Sequence, residues 1–202
     1  MSSREQCLKD LETDKSKWTL YRWLDEVDGS NSQAIYDFMH DGDHRARIDW
    51  APGSRDAHHA WEGGYAEHLR QTMWIVAHDF ELLEQSGRLD ELPDEEYFDL
   101  SDALVVLFLH DIEKPFIYDF DGSGNVIKVV DMPKAERKAF RADMIERYGF
   151  ELTPTMENAL QYVEGVRDED YVPGERVEKP LAALCHAADL GSARIYYSYR
   201  GN

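Results

Sequence analysis

The chain has 202 residues, two cysteines, and 41 acidic against 22 basic residues, for a net charge of −19. That length suffices for a single domain with a real core, so one domain is expected across residues 1–202. Such a surface repels a phosphate backbone and excludes unaided binding to duplex nucleic acid, but a local basic cleft can still take a small phosphorylated molecule. Cys7 and Cys185 show no paired spacing and the start carries no signal-like apolar stretch, so a reducing cytoplasm is expected. No apolar run approaches the roughly 18 residues of a membrane span, so no membrane partner is expected.

In chain order, residues 4–27 and 31–40 read as amphipathic helices, with Trp18, Tyr21, Trp23 and Leu24 on one stripe. These aromatics are assigned to the core; the other places for them are a cover over a pocket or the interface of a homo-oligomer. Residues 45–64, RARIDWAPGSRDAHHAWEGG, read as a loop from their Pro and Gly content. A long helix is predicted from Tyr65 to Ser86, stopped by Gly87. A second runs from Ser101, with Ser101 as N-cap and Pro115 as its stop. IYDFDGSGNVIKVVD breaks the helical period and reads as one β-hairpin around a Gly-rich turn. Helices follow at 133–148, 153–165 and 177–199, so the fold class is all-α with one small hairpin insertion.

The chemistry concentrates where LVVLFL runs abruptly into HDIEKP. The chain has three His-Asp dipeptides, at 40–41, 78–79 and 110–111, and only the last grows out of an apolar helix. A buried Asp111 is costly unless a cation neutralises it, and a divalent ion would also order His110. His68 falls on the core side of the long helix with Thr72 and Ile75, away from Glu67 and Arg70. Asp189 lies in an Ala- and Leu-rich helix with His186 one turn earlier; its other reading is a partner for Arg194 or for the helix end. His68, His110, Asp111 and Asp189 together offer two imidazoles and two carboxylates. That set suits one divalent ion among Mn, Co, Ni, Fe, Zn and Mg, with positions left for water and a phosphate oxygen.

The order His68, His110-Asp111, Asp189 resembles the HD-domain metal-dependent phosphohydrolases. HHAWEGGYAEH is similar to their His-His-Ala-aromatic-x-Gly-Gly-x-x-x-His stretch, LHDIEKP to His-Asp-Ile-Gly-Lys, and HAADLGSAR to Ala-Asp-x-x-x-Ala, over about residues 55–195. The resemblance implies an HD-type helical bundle, with the N-terminal helices of residues 1–45 packed on a core of about 55–199. It makes His68, His110, Asp111 and Asp189 the metal ligands and sets Lys114 against the substrate phosphate. Glu113 stands where the family has glycine, as a candidate catalytic base or water-orienting group. No His occurs from 112 until 186, so the two extra ligands of two-metal members are missing, with Glu164 and Asp168 the only substitutes, and one metal ion is expected.

Further substrate-binding candidates are Arg55 and Arg70, then Arg45 and Arg47, conspicuous in an acidic chain. His59, with His58 beside it, is expected to hold substrate or support His68. The function expected is hydrolysis of a phosphate ester or anhydride of a small nucleotide, a (deoxy)nucleoside mono- or triphosphate. The alternatives are a phosphodiesterase or 3′-to-5′ exonuclease on short oligonucleotides, and a non-catalytic nucleotide-sensing module.

Overall fold

The computed structural model describes residues 14–167, 170 and 172–196. Helices dominate: α1 (Leu20–Leu24), α2 (Gly29–His40), α3 (His44–Trp50), α4 (Gly64–Gln85), α5 (Leu100–Leu109), α6 (Lys114–Ile117), α7 (Lys134–Tyr148), α8 (Pro154–Tyr162) and α9 (Pro180–Gly191). A five-residue π-helical turn, Ser192–Tyr196, continues α9. The hairpin forms as expected, from β1 (Tyr118–Phe120) and β2 (Val126–Lys128), antiparallel with Asp119 opposite Ile127. Its turn is closed by the Asp121 carboxylate, which accepts from the backbone N–H of Ser123 at 2.8 Å and of Asn125 at 2.9 Å. None of the described helices is long and apolar enough to cross a membrane.

α5 is the centre. Every residue from Ala103 to Leu109 is buried, so it has no solvent face, and this accounts for the uninterrupted apolar run. α4 packs along α5, and α9 packs on α4, α5 and α8. One apolar cluster runs from Trp18 to Ala188 and takes in Trp18 and Trp23, so these two aromatics belong to the core.

Several boundaries differ from the sequence reading. The helix predicted over 4–27 is broken within its described part: Asp14 accepts from the Ser16 N–H and Thr19 from the Arg22 N–H, each starting a separate short turn. Residues 4–13 lie outside the described residues, as do 197–199 of the last helix. The predicted 45–64 loop contains α3, held by the Arg47–Asp43 pair at 2.9 Å and by Ile48, its one buried apolar residue, too sparse a pattern to show a period. α5 is capped by Asp99, not Ser101: the Asp99 side chain accepts from the Asp102 N–H at 2.9 Å, and Asp102 accepts from the Asp99 N–H at 3.2 Å. Pro115 does not stop α5. It sits in the first turn of α6, where its missing N–H has no intrahelical partner to lose.

Candidate metal centre

His68 comes from the second turn of α4, His110 caps the C-terminus of α5, Asp111 follows in the turn toward α6, and Asp189 lies in the last turn of α9. All four converge. His68 Nε2 is 3.4 Å from His110 Nε2 and 3.2 Å from Asp189 Oδ1; His110 Nε2 is 3.1 Å from Asp111 Oδ2 and 3.7 Å from Asp189 Oδ1; and His68 Nε2 is 3.8 Å from Asp111 Oδ2. His68, His110 and Asp189 form a group able to hold a metal ion. A cation bound at about 2.1 Å places neighbouring donors about 3.0–3.4 Å apart, and the shorter of these spacings fall in that range. The two imidazoles are fully buried.

Charge explains what holds the group together. Asp111 and Asp189 put two carboxylates in one buried place, and Lys114 Nζ, 2.5 Å from Asp111 Oδ2, offsets one of them. The second is offset by a proton. Burial alone would lower the His110 pKa, but the charges of Asp111 and Asp189 prevail and push it up to about 10. Burial, with Lys114 and His110 close by, keeps His68 below its ordinary value. Asp189, against burial, is held well below the carboxylate range chiefly by the protonated His110 beside it.

Behind the donors a chain of hydrogen bonds dictates which ring nitrogens carry protons. Arg70 grips Glu67 through two bonds, at 2.8 and 2.9 Å, and donates to the Ser16 carbonyl. The Glu67 carboxylate only accepts, so Gln71 turns its amide N–H toward it, at 2.9 Å, and its Oε1 inward. Oε1 lies 3.0 Å from Ser192 Oγ and 3.0 Å from His59 Nε2. The Ser192 hydroxyl, donating to Gln71, must accept from His68 Nδ1 at 3.0 Å, which leaves the His68 Nε2 lone pair facing the other donors. His59 must carry its proton on Nε2, so its Nδ1 accepts from His58 Nδ1 at 3.1 Å. His110 donates from Nδ1 to the Leu107 carbonyl at 2.6 Å, which again directs Nε2 inward.

The loop before α4 exists to seat His59, whose backbone is left-handed at φ 56°. A Cβ on Gly64 would lie 2.0 Å from the His59 carbonyl oxygen, and one on Gly53 2.8 Å from the His59 Cβ, so only glycine lets the loop close. His58, His59 and His68 also group three nitrogens, but the Nδ1 atoms of His58 and His59 bond each other.

Of the other predicted residues, Lys114 and Glu113 lie at the centre. Glu113 is buried with Oε2 lacking a hydrogen bond, 3.9 Å from Arg141 Nη2. Burial and Asp111 raise its pKa. Arg70 is committed to Glu67, and Arg55 is exposed and paired with Asp56. Arg45 and Arg47 of α3 pair with Asp49 and with Asp43 at the N-cap. His186 donates from Nδ1 to the Val163 carbonyl, 2.8 Å away, and packs on Gly165 rather than among the metal-site donors. Glu164 pairs with Lys134, and Asp168 lies outside the described residues. Gln71, Ser192 and Arg141, which donates to the His110 carbonyl, were not singled out from the sequence. The Glu67-Gln71 spacing of one helical turn was the signal for the first of them.

Comparison with family models, curated proteins and solved structures returns no significant match.

Proposed function

We propose that the chain is a metal-dependent phosphohydrolase of the HD type, with one divalent cation held by His68, His110, Asp111 and Asp189. Its substrate in this reading is a small nucleotide, a (deoxy)nucleoside mono- or triphosphate. The observation that carries the reading is the convergence of two buried imidazole nitrogens and two carboxylate oxygens, with Nε2 of His68 and His110 at 3.4 Å, from three separated stretches of chain. A bound cation would polarise the phosphoryl group and lower the pKa of a water beside it. The residues divide the remaining work. Ser192 and the Leu107 carbonyl orient the two imidazoles. Lys114, paired with Asp111 at 2.5 Å, would supply positive charge to the phosphate oxygens with a cation bound to offset that carboxylate. Glu113, buried two residues on from Asp111, is the candidate to orient the attacking water.

The test is product chromatography with ribo- and deoxynucleoside mono-, di- and triphosphates and a short oligonucleotide, in Mn, Co or Mg, for wild type and Asp111→Asn. Metal-dependent loss of one nucleotide class, absent in the variant, is the expected result. Full activity in Asp111→Asn would refute the site. Turnover of the oligonucleotide alone would reassign it to a phosphodiesterase.

A further inference from the structure

A second feature lies on the far side of Glu113. A cleft of about 340 Å³ is lined by Glu113, by Lys128 of β2, by one face of α7 and by the end of α8 through Glu164, with Arg167 beyond it. Among the described residues, six of the chain's 22 basic residues border it, against three acidic ones, Glu113, Asp131 and Glu164. Six minus three leaves the described lining at +3 within a chain of −19. The local field therefore opposes the field of the whole molecule and draws in anions.

We infer that this cleft is a binding site for a hydroxyl-bearing polyphosphate of nucleoside triphosphate size, distinct from the metal donors. Its volume lies at the lower end of the roughly 300–1,000 Å³ of small-molecule sites, too small for a folded partner or a long polymer. Two of its cations are in ion pairs that a phosphate can replace at little cost: Lys128 with Asp131 at 2.9 Å and Lys134 with Glu164 at 3.1 Å, each pair having a largely exposed partner. Arg137 uses Nε on the Met132 carbonyl at 3.0 Å, and Lys138 is exposed one residue on.

The floor of the cleft is independent of that rim and is polar and underbonded. Arg141 is mostly buried, and its Nε has no hydrogen-bond partner; Glu113 Oε2 is buried 3.9 Å from the same guanidinium and is equally without one. A buried guanidinium N–H calls for an acceptor and a buried carboxylate oxygen for a donor. Phosphate oxygens supply the first and a sugar hydroxyl the second, so one ligand class meets both. The α7 N-terminus opens here too, its cap residue Pro133 having no side chain to bond the first-turn N–H groups. Arg141 also donates to the His110 carbonyl, so a ligand that draws on Arg141 acts on the backbone of the metal centre.

The inference stands whether or not the chain hydrolyses nucleotides, and calorimetric titration of the metal-free full chain with a nucleoside triphosphate tests it. Wild type should bind, and affinity should fall steeply with added salt. Arg137→Ala with Lys138→Ala should weaken binding about tenfold or more, as expected for lost charge-assisted bonds, while Asp111→Asn should leave it within about twofold. Lys138→Glu, an exposed change that does not threaten the fold, should weaken it in the same direction. No binding by wild type, unchanged binding by the double variant, or loss in Asp111→Asn alone would overturn the assignment. If turnover is present, a raised KM with unchanged kcat in the double variant identifies the ligand as the substrate's own tail. An unchanged KM with lost response to added nucleotide identifies a separate effector.

Discussion

Replacing Gln71 by Met tests whether proton placement at the candidate metal centre is set from a distance. Gln71 Oε1 takes two hydrogen bonds, from Ser192 Oγ and His59 Nε2, both at 3.0 Å, and all three groups are buried. Met keeps the length of the side chain but cannot accept either bond strongly, so two buried donors are stranded at about 1–3 kcal/mol each. Ser192 is then released to donate to His68 Nδ1, which moves the His68 proton to Nε2, the nitrogen that faces Asp189. A ligand nitrogen that carries a proton must lose it to bind, and loss of such outer partners weakens metal affinity by about 10–100-fold. Long-range ¹⁵N–¹H correlation spectra of the metal-free protein read the tautomers directly. Wild type should show His68 protonated at Nδ1, His59 at Nε2 and His58 at Nδ1, and Gln71→Met should show mixed or reversed forms. Gln71→Glu retains an oxygen that accepts both bonds, so it should keep the wild-type pattern while losing stability beside Glu67. A wild-type His68 protonated at Nε2, or an unaltered pattern in Gln71→Met, would refute the relay.

The metal-free protein should be most stable near pH 6.5. His110, raised from 6.5 to about 10, binds more protons folded than unfolded across that interval, so its contribution is complete below 6.5 and is lost as pH rises toward 10. His58 and His59, lowered to about 4 and about 3 chiefly by burial, take up protons in the unfolded chain first, so stability also falls as pH drops below 6.5. Denaturant midpoints across pH measure both limbs; an alkaline limb that persists in His110→Gln would contradict the assignment. Saturating metal should displace the His110 proton, and calorimetry in buffers of differing ionisation heat should show about one proton released per ion near neutral pH. Gly64→Ala should destabilise the fold by at least about 2 kcal/mol, because its Cβ meets backbone at 2.0 Å rather than a movable side chain; a thermal melt matching wild type would show that the loop has room to shift.

The parts of the fold that could be read from the sequence were those in which a single face or a total absence of one dictated the pattern. α5 is apolar throughout because it is enclosed on all sides, and α4 alternates at the helical period because it has one buried face, so both were legible. α3 escaped notice because only Ile48 is buried, and a helix held mainly by Arg47 to Asp43 leaves no apolar period behind. The same division runs through the site. His110-Asp111 stood out as charge at the end of an apolar run, and the two other His-Asp dipeptides proved peripheral, His40 and His78 being exposed. Asp189 was legible as a carboxylate among Ala and Leu, and the structure brings it to His68 and His110.

Gln71 and Ser192 could not be found that way, because their value depends on a contact 121 residues apart along the chain that no local spacing encodes. Arg70 shows the converse case. It looked like a substrate ligand because cations are scarce in this chain, yet scarcity has no direction. Its position one turn from Glu67 spends its charge on holding that carboxylate, and through Gln71 the carboxylate sets the protons of His68 and His59. The cations gathered at the cleft beside Glu113 are scattered in sequence from Lys128 to Arg167, so no run of like charge announces them. They become a field only when α7 and the end of α8 are folded against β2. An acidic chain can thus carry an anion site without showing one in its composition, provided that its few basic residues are placed by tertiary structure rather than by clustering along the chain.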